Sequence, residues 1–124
     1  MRVEDIRRLQ RLAGLRLDLR LAALRQASAA CQETEARLAE IEANLHAALA
    51  TDWVDPRGAA LYETWAGAQQ RRLNMALARQ RAEQARCRDD AALAFGQSDA
   101  LQRIDEREAE IRRRERLRRL GAAG

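Results

Sequence analysis

One proline, Pro56, is the strongest constraint on how this chain can fold. It lies in the only stretch that interrupts helical sequence, Thr51-Asp52-Trp53-Val54-Asp55-Pro56-Arg57-Gly58. A proline inside a helix removes a backbone hydrogen bond and clashes with the preceding turn, but the first helical position accepts it. Asp55, just before it, is a good N-cap because its carboxylate can accept from an orphan amide of the first turn. Asp52 offers a cap one step earlier. Trp53 and Val54 are apolar residues at an exposed bend. They either fold back over the flanking helix ends or meet a partner. The flanking segments are rich in Ala, Leu, Arg and Glu and contain no other convincing break. The pattern predicts an all-α fold, an antiparallel two-helix coiled-coil hairpin with the C-terminal helix overhanging. Its helices would cover 3–50 and 56–120, with the turn at 51–55, and residues 1–124 would form a single hairpin. A hairpin of this kind has no pocket of its own, which leaves its surfaces and ends to carry the function.

The first helix carries a heptad register. Positions 3, 10, 17, 24, 31, 38 and 45 hold Val, Gln, Leu, Leu, Cys, Leu and Leu. Positions 6, 13, 20, 27, 34, 41 and 48 hold Ile, Ala, Arg, Ala, Thr, Ile and Ala. Between Leu9 and Leu24 the leucines spread around the helix, so no single stripe buries them all. This implies either a third helical layer or a docking surface there. On the second helix the bulkier apolar residues suggest a seam of Leu61, Trp65, Ala68, Met75 and Ala82, facing Leu45, Ile41, Leu38, Cys31 and Leu24. That seam frays beyond Ala82, and its register is expected to change between about 87 and 100, with a weak point at Gly96. With the turn centred near Trp53, Cys31 faces about Met75 and Cys87 about Leu19. The two cysteines are then about 12 residues out of step, or ~18 Å, too far for a disulfide. Reduced cysteines favour the cytoplasm.

Arg103 would lie opposite Val3, leaving 104–120 to project by about 25 Å if helical. In this overhang acids come first and arginines last, matching the helix macrodipole. Glu108 and Glu110 precede Arg112 and Arg114 by four residues, in the favourable order. Gly121 is expected to stop the helix.

All 23 basic residues are arginine, and the formal net charge is +4. Residues 1–25 hold seven Arg against three acids, 112–119 hold six against one, and 26–111 hold ten against fifteen. A hairpin brings the two basic segments to its open end and leaves an acidic body, a polarity suited to a directional docking partner. The acidic body and the lack of aromatics near the terminal arginines argue against nucleic acid. No run of 18 apolar residues occurs, so no segment is expected to insert in a membrane.

No catalytic constellation emerges. His46 is the only histidine, and Cys31, His46 and Cys87 lack metal-ligand spacing. Carboxylate pairs such as Glu33/Glu35, Asp89/Asp90 and Asp105/Glu106 suit a solvated helical face. The expectation is a non-enzyme with no catalytic residues, no cofactor and no metal.

Four features together resemble FliJ and the YscO-type proteins, stalk components of the flagellar and injectisome type III export apparatus. They are the opening Met1-Arg2-Val3-Glu4-Asp5-Ile6-Arg7-Arg8-Leu9, the leucine-heptad first helix, the Asp52-to-Pro56 tip and the Arg-rich end. The resemblance implies a non-enzymatic stalk or adaptor whose terminal end enters the ring of a hexameric export ATPase. It also implies links to an export gate membrane protein and to export chaperones, and a cytoplasmic location at the inner membrane export apparatus. Exposure and charge nominate the partner-binding residues: Arg112, Arg113, Arg114, Arg116, Arg118 and Arg119, with Arg7, Arg8 and Arg11, at the open end, and Trp53, Trp65 and Met75 nearer the tip. The alternatives are a coiled-coil nucleic-acid-associated protein and a homo-oligomeric structural coiled coil. One helical seam stabilises little by itself, so the chain is expected to be weakly stable as a monomer or a weak homodimer through Leu9–Leu21.

Overall fold

The computed structural model describes residues 2–51 and 55–123, with side chains for 2–51 and 55–122. Two long helices account for them, α1 (Val3–Leu49) and α2 (Pro56–Ala123). The fold is all-α, a helical hairpin. The expectations for Asp52, Trp53 and Val54 fall outside the described residues. α1 closes with a tightened turn, in which Thr51 N donates to Ala48 O at 3.2 Å and Thr51 Oγ1 to Ala47 O at 2.9 Å. α2 starts as its sequence dictates. Asp55 Oδ1 accepts from Arg57 N at 3.0 Å, capping the helix with Pro56 at its first position. Neither Gly96 nor Gly121 interrupts α2.

Contacts gather into two compact units, residues 1–22 with 88–124 and residues 23–87. In the 23–87 unit, α1 contributes Cys31 and Thr34, both buried, and half-buried Leu24, Ala27, Leu38, Ile41, Leu45 and Ala48. This is the heptad stripe read from the sequence. The α2 side differs from the expected one. Ala66, Leu77 and Cys87 are buried, and Tyr62, Gln69, Leu73, Gln80 and Gln84 are half-buried. Leu61, Trp65, Ala68, Met75 and Ala82 are all exposed. The true stripe is turned by one residue. The physical reason is charge: continued along α2, the Leu61–Ala82 stripe carries Arg72, Arg79, Arg86 and Asp89, whose burial would cost several kcal/mol each if unpaired. The stripe through Tyr62, Ala66, Gln69 and Leu73 carries no charge as far as Leu101.

The pairing register shifts accordingly. Cys31 Sγ donates to Gln84 Oε1 at 3.8 Å, so Cys31 faces Gln84 and not Met75. Gln84 Nε2 donates to Ser28 Oγ at 3.0 Å, making one polar layer across the seam. Arg81 adds an exposed ion pair to Glu35 at 3.4 Å. Neither cysteine forms a disulfide, and both are buried. The expected change of register between 87 and 100 is absent. Alternating spacings of three and four run from Leu77 through Gln80, Gln84, Cys87, Ala91, Ala94 and Ser98 to Leu101. The one irregularity is an extra four-residue step from Leu73 to Leu77, a stutter that α1 does not match. Three residues after it, the Gln80 side-chain oxygen is buried with no hydrogen-bond partner among the described residues.

Among the described residues of the unit of 1–22 with 88–124, Ile6 is the largest fully buried side chain, and Ala91 and Ala94 are also buried. Arg20, which falls on the α1 heptad, stays exposed and pairs with Asp90 at 3.9 Å. Gln10 Nε2 donates to Gln102 Oε1 at 3.4 Å, so α2 is paired further along its length than expected. Its half-buried seam continues through Asp105, Glu108 and Arg112. The unpaired end therefore starts after Arg112 and not at Ile104.

Candidate docking surfaces

The arginine end of α2 is built from helix alone. Arg113, Arg114, Arg116, Arg118 and Arg119 are exposed, and Arg112 is half-buried. Glu110 holds two of them, Arg113 at 2.5 Å and Arg114 at 3.3 Å. The Arg113 hydrogen bond, reinforced by Arg114, holds the Glu110 carboxyl below the usual carboxylate range. The expected Glu110–Arg114 pair forms, whereas among the described residues Glu108 and Arg112, both half-buried, make no ion pair with each other. Arg112, Arg116, Arg118 and Arg119 have no carboxylate within ion-pair distance among the described residues. They form a cluster of cations available to an acidic surface or a phosphate. Arg7, Arg8 and Arg11 are exposed on α1 in the same compact unit.

Trp65 and Met75 belong to the other unit. Trp65 is 52% exposed and Met75 61%. Trp65 leans on Tyr62, with ring centroids 5.8 Å apart and planes tilted by 39°. Trp53 lies outside the described residues.

The sequence did not disclose a groove in the unit of 1–22 with 88–124. Its volume is about 630 Å³, and Leu9, Leu12, Ala13 and Arg16 line it from α1 while Gln97, Ala100 and Leu101 line it from α2. The spread of leucines from Leu9 to Leu24 was its only signal. Among the described residues no third helix covers these leucines. Leu12, Leu15 and Leu19 are exposed, whereas Leu17 and Leu24 are half-buried in seams.

Among the described residues no group of three His, Cys, Asp or Glu could hold a metal ion, and no helix is long and apolar enough to cross a membrane. Comparison with protein-family models, with curated proteins and with solved structures returns no match.

Proposed function

We propose that this chain is a non-enzymatic coiled-coil stalk or adaptor of a type III export ATPase complex. In this reading the end of α2 carrying Arg112 to Arg119 enters the ATPase ring, together with Arg7, Arg8 and Arg11 of α1. The remainder of the chain links the ring to the export gate and to export chaperones, in the cytoplasm at the inner membrane.

The observation that carries the reading is a helix continuing past its last half-buried seam residue, Arg112, as an exposed arginine cluster, three of whose cations, Arg116, Arg118 and Arg119, lack an acidic partner among the described residues, as does Arg112 itself. A solvated helix end needs a positive charge or two to complement its dipole. Six in eight residues exceed that need. The same cluster suits the acidic lining of a protein ring, where desolvated guanidinium–carboxylate pairs provide directional docking. The resemblance to FliJ and YscO-type stalks supports reading that ring as an export ATPase.

The test is ATP hydrolysis by the purified export ATPase of the same organism with and without this protein. Stimulation is expected, with a complex that co-elutes on gel filtration. Replacing Arg112, Arg113, Arg114, Arg116, Arg118 and Arg119 by Glu should abolish stimulation while the helical circular dichroism signal persists. No complex and no stimulation by the intact chain refutes the assignment. A mobility shift with duplex DNA that weakens steeply with salt would transfer the arginine cluster to a nucleic-acid role.

A further inference from the structure

We infer that the groove between α1 and α2 in the unit of 1–22 with 88–124 is the seat of an acidic amphipathic helix from another protein. This surface is independent of the export reading and of the arginine end.

Three observations lead to it. First, the groove floor is apolar and open. Leu9, Leu12 and Ala13 face Ala100 and Leu101, and a second concavity on α2, lined by Ala100, Arg103, exposed Ile104 and Arg107, adjoins the groove at Ala100. Two parallel walls with an apolar floor fit the stripe of a third helix, with side chains at i, i+3 or i+4 and i+7 entering the furrow. Leu12 is 58% exposed, so a partner would remove substantial apolar area from water there.

Second, the cations at the groove are unequally engaged. Arg20 is occupied by Asp90 at 3.9 Å, and Arg103 by Asp99 at 3.1 Å. Arg16 reaches only the amide of Gln97, at 3.4 Å. Arg107 lines the adjoining concavity beside Ile104. Neither Arg16 nor Arg107 has a carboxylate within ion-pair distance among the described residues.

Third, these two cations without a carboxylate partner are spaced for a helix. Gln97, the partner of Arg16, and Arg107 are ten residues apart on α2, about 15 Å along the axis. A helix lying along the groove would meet them with two carboxylates about three turns apart. The same cations disfavour a second copy of this face, since a two-fold pairing would bring Arg16 and Arg107 of one chain against those of the other.

The probe is a fluorescein-labelled, end-blocked synthetic helix of 18 residues. One version carries leucines on one stripe with two flanking Glu ten residues apart, and a matched version carries Lys in place of the two Glu. Fluorescence anisotropy with the full chain should give micromolar binding of the Glu peptide, and the Lys peptide should bind at least about tenfold more weakly. The double variant Arg16→Glu/Arg107→Glu should reverse that order. Leu12→Asp should abolish binding of both peptides. All three residues are exposed, so circular dichroism of the variants should match the parent. Equal binding of the two peptides, binding that survives Leu12→Asp, or no binding overturns the inference. A dimer in sedimentation that Leu12→Asp dissolves also overturns it, because the occupant would then be a second copy.

Discussion

Replacing Gln80 by Leu should stabilise the protein, although Gln80 is half-buried in the seam. Its side-chain oxygen is buried without a hydrogen-bond partner among the described residues. A buried acceptor left unsatisfied costs about 1–3 kcal/mol, and leucine of similar size removes it while adding apolar area. The expected gain is about 1–2 kcal/mol, which is ~3–8 °C in Tm for a chain of this size. Gln84 supplies the control. Gln84 donates to Ser28 at 3.0 Å and accepts from Cys31 at 3.8 Å, so Gln84→Leu strands a hydroxyl and a thiol as it adds apolar area. These terms nearly cancel or fall on the unfavourable side, leaving Gln80→Leu about 2 kcal/mol more stable than Gln84→Leu. Urea titrations followed by circular dichroism would measure both, with the slope unchanged if only stability moves. A lower midpoint for Gln80→Leu, or equal shifts for the two variants, would refute the assignment of an orphaned oxygen.

Ile6→Ala should cost about 2–3 kcal/mol, because Ile6 is fully buried, whereas Leu12→Ala at the open groove should cost under about 0.5 kcal/mol; thermal melts would rank them. Gly14→Ala and Gly96→Ala should each stabilise by about 0.5–1 kcal/mol, since an added Cβ meets nothing within 4 Å at either site; a loss in urea midpoint would count against the local backbone. Glu110 should titrate below the ordinary carboxylate range in carbon-detected NMR, and Arg113→Ala should move it back up. Since its folded pKa is lowered, its contribution to the C-terminal helix is present above the unfolded carboxylate pKa and is lost as pH falls through the lower, folded value. Protection of amides near Glu110 that does not change over that window would contradict the pairing.

The α1 seam could be read from sequence because its large residues and its uncharged residues coincide: Leu24, Leu38, Ile41 and Leu45 sit on the stripe that the charges avoid. On α2 the two criteria separate. Trp65 and Met75 are the bulky residues, but the seam consists of Ala, Gln and Cys with Tyr62, Leu73 and Leu77. The better signal was the absence of charge over many turns, since two helices approach closely over small side chains but cannot bury an unpaired guanidinium. The cap at Asp55 and Pro56 was legible because it depends on neighbouring residues alone. The groove was not, because it needs α1 and α2 side by side in a register shifted from the expected one. The arginine end was visible as charge, but its starting point depended on the same shift.

The seam of small residues has a thermodynamic consequence. The chain exposes 9877 Å², whereas a compact chain of this mass would expose ~6,700 Å² and an unfolded one ~20,000 Å². Folding therefore removes only about half of the unfolded surface from water, with Ala and Gln forming much of the contact. Heat capacity follows apolar surface, so unfolding should raise it by less than the ~12–15 cal/mol/K per residue of compact domains. The curve of stability against temperature should be correspondingly broad and shallow, and the protein should lose little of its modest stability on cooling.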